Sequence, residues 1–272
     1  MRRPFAIALL VAMVAAGCGF KHEPTGALAP RFPITVNDAA GRSVTIAREP
    51  TVVLALDPAA VRILRSIGAP QTPVDADASI ATLKARHAGL IVMSPDTTPE
   101  RADEVEHALG VPTYVLAGFA LPSIEHGAAE LGLATGHALA GRNLSLHLRD
   151  LREKLQRSIA NAKPQTVFAD TGFGYSIAGS GDLLAALVKA ARGTLVGTEP
   201  PQPVSLPRLQ KLDPDVYLTM RSSHVTLAIL AKRKLTAHLP AVVSGRVLII
   251  DDRLVAPDQD AYRALAQIAR FL

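Results

Sequence analysis

The segment from His137 to Lys163, with the sequence HALAGRNLSLHLRDLREKLQRSIANAK, decides the predicted fold. It contains no proline, and its one glycine, Gly141, lies near its start. Five large aliphatic residues are spaced four, three, four and four apart, which places them along one side of a helix: Leu144, Leu148, Leu151, Leu155 and Ile159. A helix of about 20 residues is about 30 Å long. The pattern predicts a helix over 137–163 that joins two lobes, although an ordinary long core helix would show the same stripe.

Short apolar runs alternate with helical patterns before this segment. Residues 34–36 and 43–46 alternate apolar and polar side chains around turn-forming residues, which predicts a hairpin. Continuous apolar runs then predict strands that are buried on both faces, at residues 51–56, 89–93 and 111–116. Thr98 and Pro99 are typical of a helix start, and Gly110 is typical of its end.

The same alternation returns after Pro164. Apolar runs predict strands at residues 165–169, 215–220 and 246–250, and helical patterns follow them at residues 182–191, 224–235 and 257–272. Strands that alternate with helices form parallel sheets through right-handed crossovers. The predicted fold class is therefore α/β, with two Rossmann-like lobes of mostly parallel sheet, residues 33–136 and 164–272, joined by one long α-helix over 137–163.

The N-terminus has the features of a bacterial lipoprotein signal. Arg2 and Arg3 precede an apolar run of about a dozen residues, and the run ends in VAAGC at Cys18. We predict a signal peptide over residues 1–17, acylation (including palmitate) of Cys18, and a polar tether over residues 18–32. The protein would then lie in the cell envelope, outside the cytoplasm and anchored to the membrane by lipid. A plain secretory signal with an incidental Cys18 is the alternative.

Composition argues against several function classes. Loss of Arg2 and Arg3 with the signal lowers the formal charge from +5 to +3, and the chain has no Trp, so no nucleic acid partner is predicted. Cys18 is the only cysteine, so the mature fold has no disulfide or thiolate metal site. The histidines include no close pair on one helical face, so a bare zinc site is not predicted. The glycines at 174 and 179 are spaced one residue too far apart for a nucleophile elbow, and an enzyme is not predicted.

Several short motifs, each weak by itself, occur in a characteristic order from the hairpin to the C-terminus. They are VNDAAGRSVTI at 36–46, VVLALDP at 52–58, LGVPTYV at 109–115, AGSG at 178–181, VSL at 204–206, LDPDV at 212–216 and LPAVVSGRV at 239–247. In this order the chain resembles the bacterial substrate-binding proteins that serve ABC importers of ferric siderophores, haem and vitamin B12. The resemblance implies two lobes, a ligand cleft between them, and an ABC permease as partner.

The resemblance also implies one permease-docking glutamate at the top of each lobe. The corresponding positions lie near Ala81 and Pro207, and neither is acidic, although Asp75, Asp77 or Glu199 could substitute. The predicted function is an extracytoplasmic binding lipoprotein for a ferric siderophore, with iron present only as part of the ligand and no resident cofactor. A haem- or cobalamin-binding protein, or a degenerate binding fold that serves as an envelope scaffold, is the alternative.

Ligands of open parallel sheets bind beyond the carboxyl ends of the strands. The loops at those positions contribute the candidate ligand-binding residues: Asp57, Ser94, Asp96, Phe119, Phe173, Tyr175, Arg221, His224 and Arg253. Tyr175 could ligate haem iron or pack under its own loop. Arginines suit the anionic oxygens of a chelate, although Arg253 could instead neutralise Asp251 and Asp252.

Overall fold

A computed structural model describes residues 32–171, 176–178, 181–197 and 202–272. The predicted signal peptide, Cys18, Phe173 and Tyr175 lie outside these residues. The described chain begins with the predicted antiparallel hairpin, formed by β1 (Ile34–Asn37) and β2 (Ser43–Ile46). Its apolar side chains at Val36, Val44 and Ile46 are buried, as the alternation of the sequence requires.

The first lobe contains a four-stranded parallel sheet with the strand order β4-β3-β5-β6. Its strands are β3 (Val53–Ala55), β4 (Thr72–Pro73), β5 (Leu90–Met93) and β6 (Thr113–Val115). Its helices are α1 (Pro58–Ser66), α2 (Ile80–Lys84), α3 (Pro99–Leu109) and α4 (Leu121–Ala134). Helix α3 has the predicted bounds because the Thr98 hydroxyl accepts from Arg101 N and Gly110 ends the helix at φ +63°.

The long helix predicted over 137–163 is α5, which spans Ala138–Ser158. It ends earlier than predicted, where the Ser158 hydroxyl donates to the Leu155 carbonyl and Ile159 forms the C-cap. The apolar stripe is buried in its middle, where Leu148 is 2% exposed, but Leu151 is 40% exposed. The helix therefore buries one part of its predicted apolar face and leaves another part exposed to solvent.

The second lobe contains a six-stranded mixed sheet. Its strands are β7 (Thr166–Asp170), β8 (Ser176–Ile177), β9 (Thr194–Leu195), β10 (Gln202–Pro203), β11 (Val216–Met220) and β12 (Val247–Ile250). β9, β7, β11 and β12 are parallel, whereas β8 pairs with β7 and β10 in antiparallel fashion. Its helices are α6 (Leu183–Ala190), α7 (Leu206–Leu212), α8 (Leu227–Lys232), α9 (Pro240–Val243) and α10 (Ala261–Phe271).

Two predicted helices of this lobe are too long. The helix predicted over 224–235 is only α8, because His224 adopts φ +55° and Thr226 is the N-cap. A residue with positive φ cannot continue a right-handed helix. The helix predicted over 257–272 begins only at Ala261. In the turn before it, the Asp258 carboxylate accepts a hydrogen bond from the main-chain N–H of Asp260.

Helices α4 and α5 approach each other closely at two glycines. An added Cβ at Gly132 would lie 2.7 Å from Gly141 Cα, and one at Gly141 would lie 2.7 Å from the Ala128 carbonyl oxygen. These contacts are to backbone atoms, so side chains cannot relieve them by changing rotamer. Glycine at both positions is what permits the contact.

Polar contacts join the first lobe to α5 and to the segment that begins α10. Glu125 of α4 is buried and accepts two hydrogen bonds from Arg152 of α5, at 2.7 and 3.0 Å. The Tyr262 hydroxyl lies 2.9 Å from the same carboxylate. Arg62 of α1 donates to the buried carboxylate of Asp258 at 2.5 Å. Buried charges are tolerated when they are paired and hydrogen-bonded in this way.

Candidate ligand-binding cleft

The carboxyl end of β3 opens into a cavity of about 840 Å³. We call it the arginine cavity, because four arginines line it: Arg62, Arg65, Arg86 and Arg253. The first three lie on or after α1 and α2 of the first lobe, and Arg253 comes from the loop after β12 of the second lobe. The first lobe therefore supplies nearly all of the lining, and the second lobe contributes the single side chain of Arg253.

Three guanidinium groups of the arginine cavity form no close ion pair with the described residues. Within the described residues, Arg65, Arg86 and Arg253 have no carboxylate within 4.0 Å, whereas Arg62 is paired with Asp258. Three aspartates also line the cavity, and of these Asp75 and Asp77 are exposed. Unpaired guanidinium groups that face one volume favour an anionic guest that can accept from several of them.

Asp57 lies in the arginine cavity, as its position after β3 predicts. One of its carboxylate oxygens accepts from Ala59 N at 2.6 Å, so the side chain is also the N-cap of α1. A carboxylate has about four acceptor sites, and the cap uses one of them. The remaining sites are available to a donor group of a ligand.

Ser94 and Asp96 line a second, smaller cavity of about 270 Å³ after β5. The Ser94 hydroxyl lies 3.5 Å from Asp96 N, which is a weak contact, and Thr98 rather than Asp96 caps α3. Asp96 is exposed. The structure thus places these two predicted residues together, but not in the arginine cavity.

Phe119 follows β6 and lines a third cavity, of about 520 Å³. Its side chain is exposed, and the same cavity is bordered by Asn37 of the hairpin, Tyr114 of β6 and Gly181 of the second lobe. Burial raises the pKa of the Tyr114 hydroxyl above its ordinary value, and nearby Glu130 and Asp38 raise it further. The phenol therefore stays protonated and can act as a donor.

Two of the predicted residues in the second lobe are not in these cavities. Arg221 lies 3.7 Å from Asp251, and His224 is the exposed residue with positive φ that ends a short 3₁₀ turn. Neither side chain borders any of the three cavities described above. Asp251 thus pairs with Arg221 and accepts the main-chain N–H of Arg253, and within the described chain the Arg253 guanidinium has no carboxylate within 4.0 Å.

Sequence reasoning missed Arg62, Arg65 and Arg86 as candidate ligand residues. A signal for two of them was present, because Arg62 and Arg65 lie three residues apart on the helix that Asp57 begins, and residues at that spacing share a helix face. Arg86 carries no such signal, since it lies beyond the end of α2. Phe173 and Tyr175 lie outside the described residues.

Comparisons with known proteins agree with this architecture. A cobalamin-binding protein of Halobacterium salinarum is 24% identical over an alignment that covers 97% of this chain and 81% of that protein. The ABC-type Fe³⁺-hydroxamate transport system of Saccharomonospora viridis superposes with a TM-score of 0.69 at 16% identity, covering 89% of this chain and 99% of that chain. The periplasmic vitamin B12 binding protein of Vibrio cholerae has a TM-score of 0.69 at 17% identity, covering 82% and 96%. No family model matches the chain.

The chain therefore has the two-lobe α/β fold of importer binding proteins, as the sequence predicted. The proteins to which it is similar are named for binding or transport. Two further findings concern the described residues alone. No helix among them is both long and apolar enough to cross a membrane, and no three of their His, Cys, Asp or Glu side chains are grouped to hold a metal ion.

Proposed function

We propose that this protein is the extracytoplasmic substrate-binding component of an ABC importer and that it holds a ferric siderophore between its lobes. The observation that carries the proposal is the arginine cavity, with three first-lobe arginines and Arg253 of the second lobe around one volume of about 840 Å³. The similarity to importer binding proteins supports the class of function.

The chemistry of the cavity supports an anionic chelate. Guanidinium groups donate in pairs to carboxylate, hydroxamate and catecholate oxygens, and such charge-assisted hydrogen bonds are stronger than neutral ones. A guest held by Arg65 and Arg253 together would contact both lobes at once. The nine residues predicted from the sequence remain part of the proposal, with Asp57 and Arg253 in this cavity and Phe119, Ser94 and Asp96 in the other two cavities described above.

Titration calorimetry against a ferric tris-catecholate chelate, a ferric hydroxamate chelate, haemin and cyanocobalamin tests the proposal. We expect the tightest binding for a ferric chelate, and at least about tenfold weaker binding in Arg65→Gln/Arg253→Gln, because each lost charged hydrogen bond costs roughly a factor of ten. The double variant Arg157→Gln/Arg270→Gln removes the same charge from exposed helix positions outside the cavity, and it should bind like the wild type.

The outcomes separate the alternatives. Cobalamin is a candidate because the cobalamin-binding protein of Halobacterium salinarum is similar over almost the whole chain. Tightest binding of cyanocobalamin, or a Soret band with haemin that Tyr175→Phe abolishes, would overturn the siderophore assignment and keep the importer function. Binding of every ligand weaker than millimolar would overturn the importer function in favour of an envelope scaffold.

The proposal includes the cleaved signal peptide, acylation of Cys18 and docking on a permease. The predicted docking positions, Ala81 in α2 and Pro207 in α7, are both exposed. Metabolic labelling with a palmitate analogue tests the anchor: the wild-type protein should be labelled and enter the detergent phase, whereas Cys18→Ser should remain unlabelled. Label on the Cys18→Ser variant would contradict acylation at this residue.

A further inference from the structure

The stretch from Arg221 to Ile250 lacks negative charge. Its 30 residues include no Asp or Glu and five Lys or Arg, whereas the whole chain has 24 acidic residues in 272. Helices α8 and α9 and the turn between them make up the centre of this stretch. Arg221 lies 3.7 Å from Asp251, just beyond the stretch, and three of the other four cationic residues are consecutive, at 232–234.

Large apolar side chains are exposed on the same elements. Val243 at the end of α9 is 73% exposed, and three others leave more than a third of their surface exposed: Leu227, Ile229 and Leu235. Together with the exposed Lys232 and Lys234 we call these residues the α8–α9 patch. Half of the ten exposed large hydrophobic residues of the described chain lie in the stretch 221–250, since Ile249 also belongs to it.

The patch is held by a packed layer beneath it. Leu230, Leu239 and Val242 are buried in one core cluster with Phe168 and Tyr217 of the sheet. The Thr236 hydroxyl donates to the Leu230 carbonyl at 2.5 Å and fixes the turn between the two helices. The exposed side chains are therefore presented on a fixed support, and their exposure is not a consequence of poor packing.

We propose that the α8–α9 patch binds an anionic phospholipid surface. Exposed leucine, isoleucine and valine side chains on either side of two lysines in the sequence match the interface of a bilayer, where apolar groups enter the acyl boundary and ammonium groups remain among the phosphates. Lysine is a compact point charge that needs no fixed partner geometry, so it suits a fluid array of headgroups. This inference goes beyond the proposed function, because it does not depend on which ligand the cleft holds.

The position of the proposed lipid anchor is compatible with this contact. Phe32 lies 14 positions after Cys18, and a chain of that length spans at most about 50 Å. A folded domain attached to the membrane by so short a segment stays close to the headgroups. The patch then has its anionic partner at a high local concentration.

Flotation of the mature chain, which begins at residue 18, with phospholipid vesicles tests the proposal. All proteins carry Cys18→Ser, so that neither an acyl chain nor the apolar signal contributes to binding. We expect stronger binding to vesicles with one third phosphatidylglycerol than to pure phosphatidylcholine, and a loss of that difference when salt is raised to about 0.5 M. Lys232→Gln/Lys234→Gln should weaken binding to the anionic vesicles by at least about tenfold, since each lysine near such a surface contributes about fivefold.

Two further variants separate charge from apolar contact. Lys84→Gln/Lys189→Gln removes the same charge from exposed positions in α2 and α6, and it should bind as the parent does. Ile229→Ser/Val243→Ser keeps the charge and should weaken binding several-fold, because less apolar surface is buried at the interface. Circular dichroism of these surface variants should match the parent.

Three results would overturn the proposal. They are equal binding to neutral and anionic vesicles, equal weakening by the two lysine double variants, and binding to an acidic protein without any binding to anionic vesicles. The last result would assign the patch to a protein partner. The ligand titrations described above are independent of all three, so failure of this proposal and failure of the proposed function are distinguishable.

Discussion

The guanidinium of Arg62 lines the arginine cavity and also donates to Asp258 in the segment before α10. Asp258 is fully buried, and burial raises its pKa although Arg62 and the Asp260 N–H stabilise its charge. One side chain of the first lobe thus borders the arginine cavity and stabilises a charge in the second lobe. Sequence reasoning could not find this pair, because 196 residues separate its members.

This pair predicts a pH-dependent loss of stability in Arg62→Met. At neutral pH the variant leaves a buried carboxylate with one N–H donor. The free energy of unfolding should fall by about 2 kcal/mol. This loss is smaller than the one expected for a fully buried ion pair, because the Arg62 side chain is 31% exposed. A raised carboxyl pKa means that the folded state binds the proton more tightly. The loss should therefore be present at pH about 7.5 and shrink as the pH falls through the folded-state pKa of Asp258.

Urea unfolding at pH about 7.5 and about 5 measures this dependence. The double variant Arg62→Met/Asp258→Asn is the control, because it lacks the carboxylate that titrates, and its loss should be similar at both pH values. If Arg62→Met lowered the free energy of unfolding equally at the two pH values, the unpaired charge of Asp258 would not be the cause of the loss.

At the scale of single elements, the sequence predicted best where cap residues mark both ends. Helix α3 has the predicted bounds, with Thr98 and Gly110 as its caps. The predicted start of α8 was wrong. The turn after β11 imposes the positive φ of His224, and no local pattern of apolar residues reveals that turn. Helices α7 and α9 were missed because both are short, with seven and four residues, too few to show a full helical period.

The contact between α4 and α5 predicts that Gly141→Ala destabilises the protein. Alanine favours a helix interior by about 1 kcal/mol over glycine. The added Cβ would nevertheless lie 2.7 Å from two backbone positions of α4, so the helices must separate. We expect a net loss of about 2 kcal/mol and a fall in Tm of about 4 to 8 °C in thermal unfolding.

Gly181→Ala is the matched control for this substitution. Among the described residues, an added Cβ at Gly181 meets no atom within 4 Å, and its φ is not positive, so the free energy of unfolding should change by less than about 0.5 kcal/mol. A Tm of Gly141→Ala at or above that of the wild type would contradict the close approach of the two helices.

At the scale of the whole molecule, the sequence predicted two α/β lobes and a long helix between them, because strand and helix periods are local properties. It could not predict how the lobes share their cores. Leu121 and Ile124 at the start of α4 are buried in the core cluster of the second lobe, whereas Ala128 and Leu131 of the same helix are buried in that of the first. For the site, the sequence located the loops after strands, including Arg253, but not Arg62, Arg65 and Arg86 on the first-lobe side of the cavity.

The division of α4 between two cores limits how halves of this architecture can be exchanged. A hybrid that exchanges one half with a relative has to place its junction before α4 or after it, and either choice removes α4 from one core that it completes. We therefore expect recombination of halves to yield poorly packed chimeras. Changes confined to the loops that follow the strands leave that shared helix intact, and they are the route by which this scaffold can diversify.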